Sequence, residues 1–428
     1  MDLDMTSFSF LGQRARFLDH FAKRGFLHQA THQEGLQHLM EEGPVTAYIG
    51  FDCTASSLHV GNLMGIMMLR LLQHHGHKPI ILLGGGTTQV GDPSGKDESR
   101  KLLDKAAIEA NKAGILAVLK QFIQFGTGAD EAVLVDNAEW LESLHYIDFL
   151  RDYGRHFSVN RMLTYDSVKM RLEREQNLTF LEFNYMLLQS YDFVELNRRY
   201  GCRLQLGGSD QWGNITSGIE LQRRLGGEEL FGLTCPLITT AQGAKMGKTA
   251  QGAVWLAENH LPIFDYWQFW RNSDDRDVMR FMRYFTDLSL DEIAAFESNS
   301  QLSINELKKQ LATHATALCH GHEKAEQAAK TAEQLFEQGS LGSANMPVVT
   351  VSWAELEAGV PAFQLVQLAG LSQSGGEARR LIRGRGVKWN GEIIADEQQL
   401  IRLIDQNSLE GGVLSAGKKH FVRVMGKE

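Results

Sequence analysis

The sequence predicts an α/β fold: a parallel sheet of the Rossmann type carrying a helical insertion, followed by an α-helical domain and a small α+β module. Three observations predict it. Tyr48 to Leu63 reads as a strand ending at Asp52, a short turn, and an apolar helix running from Leu58 to Leu72. Pro79 to Leu83 supplies a second apolar strand, so that strand, helix and strand make a parallel crossover unit. Leu204 to Leu206 then leads through Gly207-Gly208-Ser209-Asp210-Gln211-Trp212-Gly213-Asn214 into a helix from Ile215, a second strand-to-helix junction. The domain ranges that follow are 1–248 for the sheet with a helical insertion at about 97–200, 249–340 for the helical domain, 341–360 for a linker and 361–428 for the module.

A chain of 428 residues with 43% apolar content has room for two or three ordinary cores. Its net charge of −9 argues against wholesale wrapping of nucleic acid. The charge is segregated: residues 361–428 hold ten Lys and Arg against seven Asp and Glu, +3 locally, which leaves −12 on the rest. Cys53, Cys202, Cys235 and Cys319 show no paired spacing, which points to a reducing cytoplasm and to neither a zinc site nor a disulfide framework. Cys319-His320-Gly321-His322 is too compressed for three ligands to converge, so no tightly held protein metal is expected. The N-terminus lacks a basic stretch followed by an apolar run, and no segment approaches a membrane span.

Taken in order, residues 1 to 43 read as helices, with Phe17, Leu18 and Phe21, then Leu36, Leu39 and Met40, at helical spacing and Gly43-Pro44 as the stop. At the first junction Thr54, Ser56 and Ser57 supply capping oxygens. A strand-to-helix junction in a parallel sheet aims backbone N–H groups and the positive end of a helix at the mouth of a site, where phosphates bind. His59 and Asn62, three apart, share one helix face and can reach the same phosphate. Gly84-Gly85-Gly86 ends the second strand. In the following Gly91-Asp92-Pro93-Ser94-Gly95-Lys96, a Walker loop fails because Val90 stands where glycine is needed and Asp97 follows the lysine. A dinucleotide fingerprint fails at Gln89. What remains is a turn with Arg100 four residues beyond Lys96.

Ala106 to Phe125 is helical, Ala132 to Val135 a strand, and Trp140 to Tyr200 mostly helical. Tyr185, Gln189 and Asp192 lie on one face of that last helix, and a buried Asp beside Tyr and Gln is costly without a polar ligand. At the second junction Asp210 can accept both hydroxyls of a ribose. Leu233 to Thr240 reads as a strand whose Pro236 places it at an edge or bulge. The loop after it, Lys245-Met246-Gly247-Lys248-Thr249, carries two ammonium groups on flexible backbone, suited to a polyphosphate. Trp255 to Glu323 is helical, with Ser289-Leu290-Asp291-Glu292 a capping box and Phe264, Tyr266, Trp267, Phe269 and Trp270 as packing core. Gly, Ser and Ala gather around 337–347 as a linker. Beyond Pro361, Arg379, Arg380, Arg383 and Arg385 cluster before Lys388 and an Asn390-Gly391 hairpin turn.

Five segments in order, 48–59, 91–96, 185–192, 207–214 and 245–249, resemble those of the bacterial tyrosyl-tRNA synthetase family. His59-Val60-Gly61-Asn62 is similar to the HIGH signature of the first class of aminoacyl-tRNA synthetases, with Asn62 in place of the second histidine, and the lysine loop is similar to KMSKS. The resemblance implies ATP-dependent activation of L-tyrosine and its transfer to the terminal adenosine of tRNA(Tyr). It implies that the phenol meets Tyr48 and Asp192, the α-amino group Asp92, Tyr185 and Gln189, and the carboxylate region Gln211. It implies that ATP lies along Gly50, Asp52, His59, Gly61, Gly208, Asp210 and Lys248. Thr54, His59, Asn62, Lys96, Arg100, Lys245, Lys248 and Thr249 would meet the phosphates or stabilise the leaving pyrophosphate, with Mg2+ arriving on ATP. It further implies anticodon recognition by the helical domain, RNA binding by Arg379, Arg380, Arg383, Arg385 and Lys388, and a homodimer with the 149–160 segment near its interface. A tryptophan-activating relative would not need two partners at a phenol position. A small-molecule nucleotidyltransferase would have no use for the basic module, and a non-catalytic RNA-binding paralogue would have no use for Lys96, Asp210, Lys245 and Lys248.

Overall fold

The computed structural model describes residues 13–93, 103–243, 246–249, 252–336, 347–402, 411–417 and 420–427. The chain forms two compact units, Met1–His322 and Glu323–Glu428.

In the first unit a six-stranded sheet has the order β1-β6-β5-β2-β3-β4, with β1 Gln29–Ala30, β2 Thr46–Phe51, β3 Lys78–Leu83, β4 Val133–Asp136, β5 Cys202–Gly208 and β6 Phe231–Cys235. Strands β2 to β6 are parallel and β1 runs antiparallel on β6. The central strands are buried on both faces, which is why Ile80, Ile81, Leu82 and Leu83 form an unbroken apolar run. From β2 the chain moves one way to β3 and β4, then returns to the other side for β5 and β6. The order therefore reverses between β2 and β5, and a parallel sheet opens a crevice beyond its carboxyl ends at such a point.

The sheet matches the expected strands with shifts at their ends. β4 lies inside the range read as an insertion and pairs with β3. Two-residue β1 has no alternation long enough to read. β6 stops at Cys235 and Pro236 falls just outside it, because a residue without N–H cannot continue the ladder between β5 and β1. The helix after β2 spans Val60–His74, and its cap is not Thr54, Ser56 or Ser57 but His59, whose imidazole accepts from the N-terminal turn. The reason is position: the turn delays the first helical residue to Val60, so the earlier hydroxyls lie too far back to cap it.

The helices Ile263–Arg271, Val278–Phe285, Leu290–Ser298 and Ile304–His320 follow, with Tyr266, Trp267, Trp270 and Phe285 fully buried among them. Ser289 caps the third of these and Glu292 returns the bond to the Ser289 N–H, the expected capping box. In the second unit a five-stranded sheet, ordered Glu392–Ile393, Val387–Trp389, Gly412–Ala416, His420–Lys427 and Val348–Ser352, packs a core of Leu356, Leu365, Val366, Ile382 and Leu414. Asn390 (φ 49) and Gly391 (φ 87) make the predicted hairpin turn, and the Asn390 Oδ1 accepts from the Val413 N–H at 2.7 Å. Among the described residues no helix is long and apolar enough to cross a membrane.

Candidate active site

A cavity of about 480 Å³ opens at the carboxyl ends of β2 and β5, where the strand order reverses. It has three parts. The deepest is built from Tyr48, which faces across β2 from Gln205 on β5, and from Asp192 on the Phe180–Tyr200 helix. Asp192 is 1% exposed and accepts from the Trp140 indole N–H at 2.8 Å and the Asn137 amide at 2.9 Å. Burial nonetheless pushes its carboxyl up to about 8, those two donors hold it down, and the Asp52 and Asp136 charges push it up again. The Tyr48 hydroxyl is fully buried and has no hydrogen-bond partner, and neither has the Gln205 Oε1. Burial, then the charge of Asp192, hold the Tyr48 phenol well above its usual range, so it stays a neutral donor. An orphaned buried hydroxyl beside a buried carboxyl group is the complement of a ligand hydroxyl.

The middle of the cleft is a polar cradle. The Asn214 amide sends one N–H to Gln189 Oε1 at 3.0 Å and the other to Gln211 Oε1 at 3.1 Å. Gln211 in turn donates to Asp92 Oδ2 at 2.9 Å. The Tyr185 hydroxyl leans toward both oxygens of Asp52 at 3.4 Å. Asp92, Gln189 and Tyr185 thus converge as acceptors suited to an ammonium group, with their orientations fixed from behind.

The outer part faces the N-terminus of the Val60–His74 helix. The His59 Nδ1 accepts from the Gly61 N–H at 2.9 Å, so the neutral ring carries its proton on Nε2, a donor. The His59 N–H is taken by Asn62 Oδ1 at 3.1 Å, which leaves the Asn62 amide nitrogen as the donor for a ligand. No atom lies within 4 Å of where a side chain would begin on Gly50, so the strip from β2 to the helix is open. On the β5 side, the Asp210 carboxylate turns back to within 2.6 Å of the Cβ that Gly208 lacks. Thr54 is exposed on the rim. Strands β7 (Lys248–Thr249) and β8 (Gly252–Ala253) form a hairpin against this helix end, where the Val60 N–H donates to Val254 O at 2.9 Å. Gly247 has φ +98, and a Cβ there would stand 2.6 Å from the Gly61 nitrogen, so only glycine brings the two loops together. The side chains of Lys248 and Thr249, and all of Lys96, Arg100 and Lys245, lie outside the described residues.

Thus Tyr48, Asp92, Tyr185, Gln189, Asp192 and Gln211 meet in one cleft with Gly50, Asp52, Thr54, His59, Gly61, Asn62, Gly208 and Asp210. Sequence reasoning missed Asn137, Trp140, Thr87, Asn214 and Gln205. Asn137 follows the end of β4, and a polar residue at the carboxyl end of a parallel strand was a usable signal. Among the described residues no group of three or more His, Cys, Asp or Glu side chains gathers to hold a metal ion.

In the second unit, Arg380, Arg383, Arg385 and Lys388 are exposed around the Gly375–Arg383 helix and the strand after it. Arg383 is paired with Glu397 at 2.7 Å, and Arg379 lies over the Phe363 ring at 3.8 Å with Glu397 beside it. Arg380, Arg385 and Lys388 make no ion pair among the described residues.

The family described as tRNA synthetases class I (W and Y) matches residues 40–337. The chain is 58% identical to a tyrosine--tRNA ligase of Methylocella silvestris over 96% of this chain and 97% of that one. It is 59% identical to a tyrosine--tRNA ligase of Beijerinckia indica over 95% and 96%. Among solved structures it is similar to a C-terminally truncated mitochondrial tyrosyl-tRNA synthetase of Aspergillus nidulans, at 28% identity and a TM-score of 0.67, covering 78% of this chain and 100% of that one. With its cleft at the β2–β5 reversal and its deep hydroxyl-and-carboxylate pocket, the chain belongs to the class I tRNA synthetases and, within them, to the tyrosine--tRNA ligase family.

Proposed function

We propose that this protein activates L-tyrosine with ATP to tyrosyl-adenylate, releases pyrophosphate, and passes the tyrosyl group to the 3′ end of tRNA(Tyr). The observation that carries the reading is the unpartnered Tyr48 hydroxyl beside buried Asp192. A tyrosine phenol satisfies both; phenylalanine leaves both unpaired, and the cost of an unpaired buried polar group is what discriminates. Tyrosyl-tRNA synthetases are themselves the well-known example of such discrimination, and its full size is not a result of this structure. Asp92, Tyr185 and Gln189 hold the α-ammonium, and Gln211 lies at the carboxylate. ATP lies along Gly50 and the helix N-terminus, its ribose on Asp210 and its phosphates toward His59 Nε2, Thr54 and Asn62, with Mg2+ carried on the nucleotide. The substrate carboxylate is itself the nucleophile at the α-phosphate, so no side-chain nucleophile is needed. Catalysis is positioning and charge stabilisation, with Lys96, Arg100, Lys245, Lys248 and Thr249 on the departing pyrophosphate.

Arg379, Arg380, Arg383, Arg385 and Lys388 contact RNA backbone, with Arg380, Arg385 and Lys388 as the ready cations. Residues 249–340 take part in anticodon recognition. Exposed Tyr146, Ile147, Val159, Leu163 and Phe180 give the 146–180 segment an apolar surface that fits a homodimer interface. The four free, buried cysteines support a reducing compartment, and we read the protein as cytoplasmic. The test is tyrosine-dependent exchange of labelled pyrophosphate into ATP, with phenylalanine and tryptophan in parallel and Lys248→Ala as control. Exchange with tyrosine alone, lost in the control, is the expected result; absence of exchange in folded protein would overturn the reading.

A further inference from the structure

Along one wall of the cleft runs a hydrogen-bonded chain that joins its deep pocket to its outer part. The Asn137 amide gives one N–H to Asp192 Oδ2 at 2.9 Å and the other to Thr87 Oγ1 at 3.0 Å. Its own oxygen is held by the Gly86 N–H at 2.8 Å. Because Thr87 Oγ1 accepts from Asn137, its proton is free to go onward, and it goes to Asp52 Oδ1 at 2.9 Å. The donors therefore run from Asn137 outward to a carboxyl group at each end. Thr87 is 3% exposed and Asn137 1%, so the inner bonds of the chain are buried, while the outer one ends on the half-buried Asp52. The fold keeps space for the chain: a Cβ on Gly84 would lie 2.4 Å from Asp52 Oδ1 and 2.5 Å from Thr87 Oγ1.

The two ends lie in different parts of the cleft. Asp192 belongs to the deep pocket with Tyr48, and Asp52 stands at the end of β2 beside Thr54 and the open strip at Gly50. A ligand hydroxyl that donates to Asp192 fixes it as an anion, which strengthens its bond from Asn137 and locks the amide plane. The second Asn137 N–H then locks the Thr87 hydroxyl, whose proton must point at Asp52. We propose that Thr87 is a positioning residue that couples the two substrates: filling the pocket at Tyr48 and Asp192 fixes the Asp52 carboxylate through Asn137 and Thr87, so tyrosine raises the affinity for ATP. This coupling rests on tyrosine and ATP being the two substrates.

The test uses the full chain and the pair Thr87→Ser and Thr87→Ala, which both lack the methyl and differ by the hydroxyl alone. Tyrosine affinity is measured by equilibrium dialysis with and without a non-hydrolysable ATP analogue, which by linkage reports the same coupling as tyrosine's effect on ATP. The wild type and Thr87→Ser are expected to bind tyrosine more tightly with the analogue present, and Thr87→Ala to lose about five- to tenfold of that gain, the size of a hydrogen bond to a charged group. Tyrosine affinity without analogue is expected to change less than about twofold. Gly84→Ala, which drives a methyl into the same bond from the other side, is expected to behave as Thr87→Ala does, and serves if that variant does not fold. Equal coupling in Thr87→Ser and Thr87→Ala, or independent affinities in the wild type, would overturn the relay while leaving tyrosine binding intact. Loss of tyrosine binding by the wild type itself would instead sink the assignment of the substrates.

Discussion

The Tyr48 hydroxyl is a cost to the empty protein and, on the proposed reading, a contact in the filled one. Tyr48→Phe removes a buried, unpartnered group. It is therefore expected to raise unfolding stability by about 1 kcal/mol. The same change is expected to lower kcat/KM for tyrosine at least about tenfold, the loss of one buried hydrogen bond to the substrate. Chemical denaturation and pyrophosphate exchange on one preparation check both signs. Asp192 gives a second prediction. Its carboxyl titrates at about 8 in the folded chain against an ordinary 3.8, so between those values the folded state holds the extra proton. Stability therefore falls as pH rises from 3.8 to about 8, and Asp192→Asn is expected to flatten that part of the urea-midpoint profile. On the proposed reading the phenol needs the carboxylate as acceptor, so kcat/KM for tyrosine is expected to climb with pH, to be half-maximal near 8 and to level off above it. Of the side chains that hold Asp192, Asn137 left a signal in its place after β4, whereas Trp140 left none, because it meets Asp192 only across the fold.

The helix Phe17–Lys23 packs Phe17 against the rings of His75 and His77, and His20 against His75. His77 accepts from the Val45 N–H on Nδ1 at 3.1 Å and reaches Arg14 O with Nε2 at 3.3 Å, an arrangement only the neutral ring can satisfy. Burial lowers its pKa from 6.5 to about 4, so the stability it contributes is present above 6.5 and is lost as pH falls toward 4. The protection of the Phe17–Lys23 amides, their exchange taken relative to the intrinsic rate at each pH, is expected to fall over that range, and His77→Asn to remove most of the dependence. Strands and helices were legible where one period ran long enough, as in β3 and the Val60–His74 helix. They were not where two residues make a strand, as in β1, or where an imidazole caps a helix, as His59 does. Gly247 reads in the sequence as a source of flexibility in its loop. The structure gives it a different necessity: Gly247→Ala places a methyl 2.6 Å from the Gly61 nitrogen at φ +98. That variant is expected to lower pyrophosphate exchange at least about tenfold with little change in tyrosine affinity, because the strain falls on the phosphate end.

At the scale of the molecule, every described residue lining the cleft belongs to the first unit, and the second has its own sheet and core. A chain ending at Phe336 is expected to keep tyrosine-dependent pyrophosphate exchange within about twofold of the full chain and to charge tRNA far less efficiently. Loss of exchange would mean that the cleft depends on the second unit. The sheet of the first unit was legible from its two strand-to-helix junctions, whereas the second unit was legible only after Pro361, from its local excess of positive charge, and its strand Val348–Ser352 lies in the range read as a linker. The course of the sheet was not, since the reversal between β2 and β5 depends on pairings far apart in the chain. The unpartnered hydroxyl of Tyr48 also ties the survival of the protein to its substrate. Where tyrosine supplies the missing partner, as proposed, the amino acid is a selective preservative of the enzyme. In a cell short of tyrosine, more of the protein would visit open forms that proteases cut, and phenylalanine could not substitute. The turnover of the protein would then follow the supply of the amino acid it consumes.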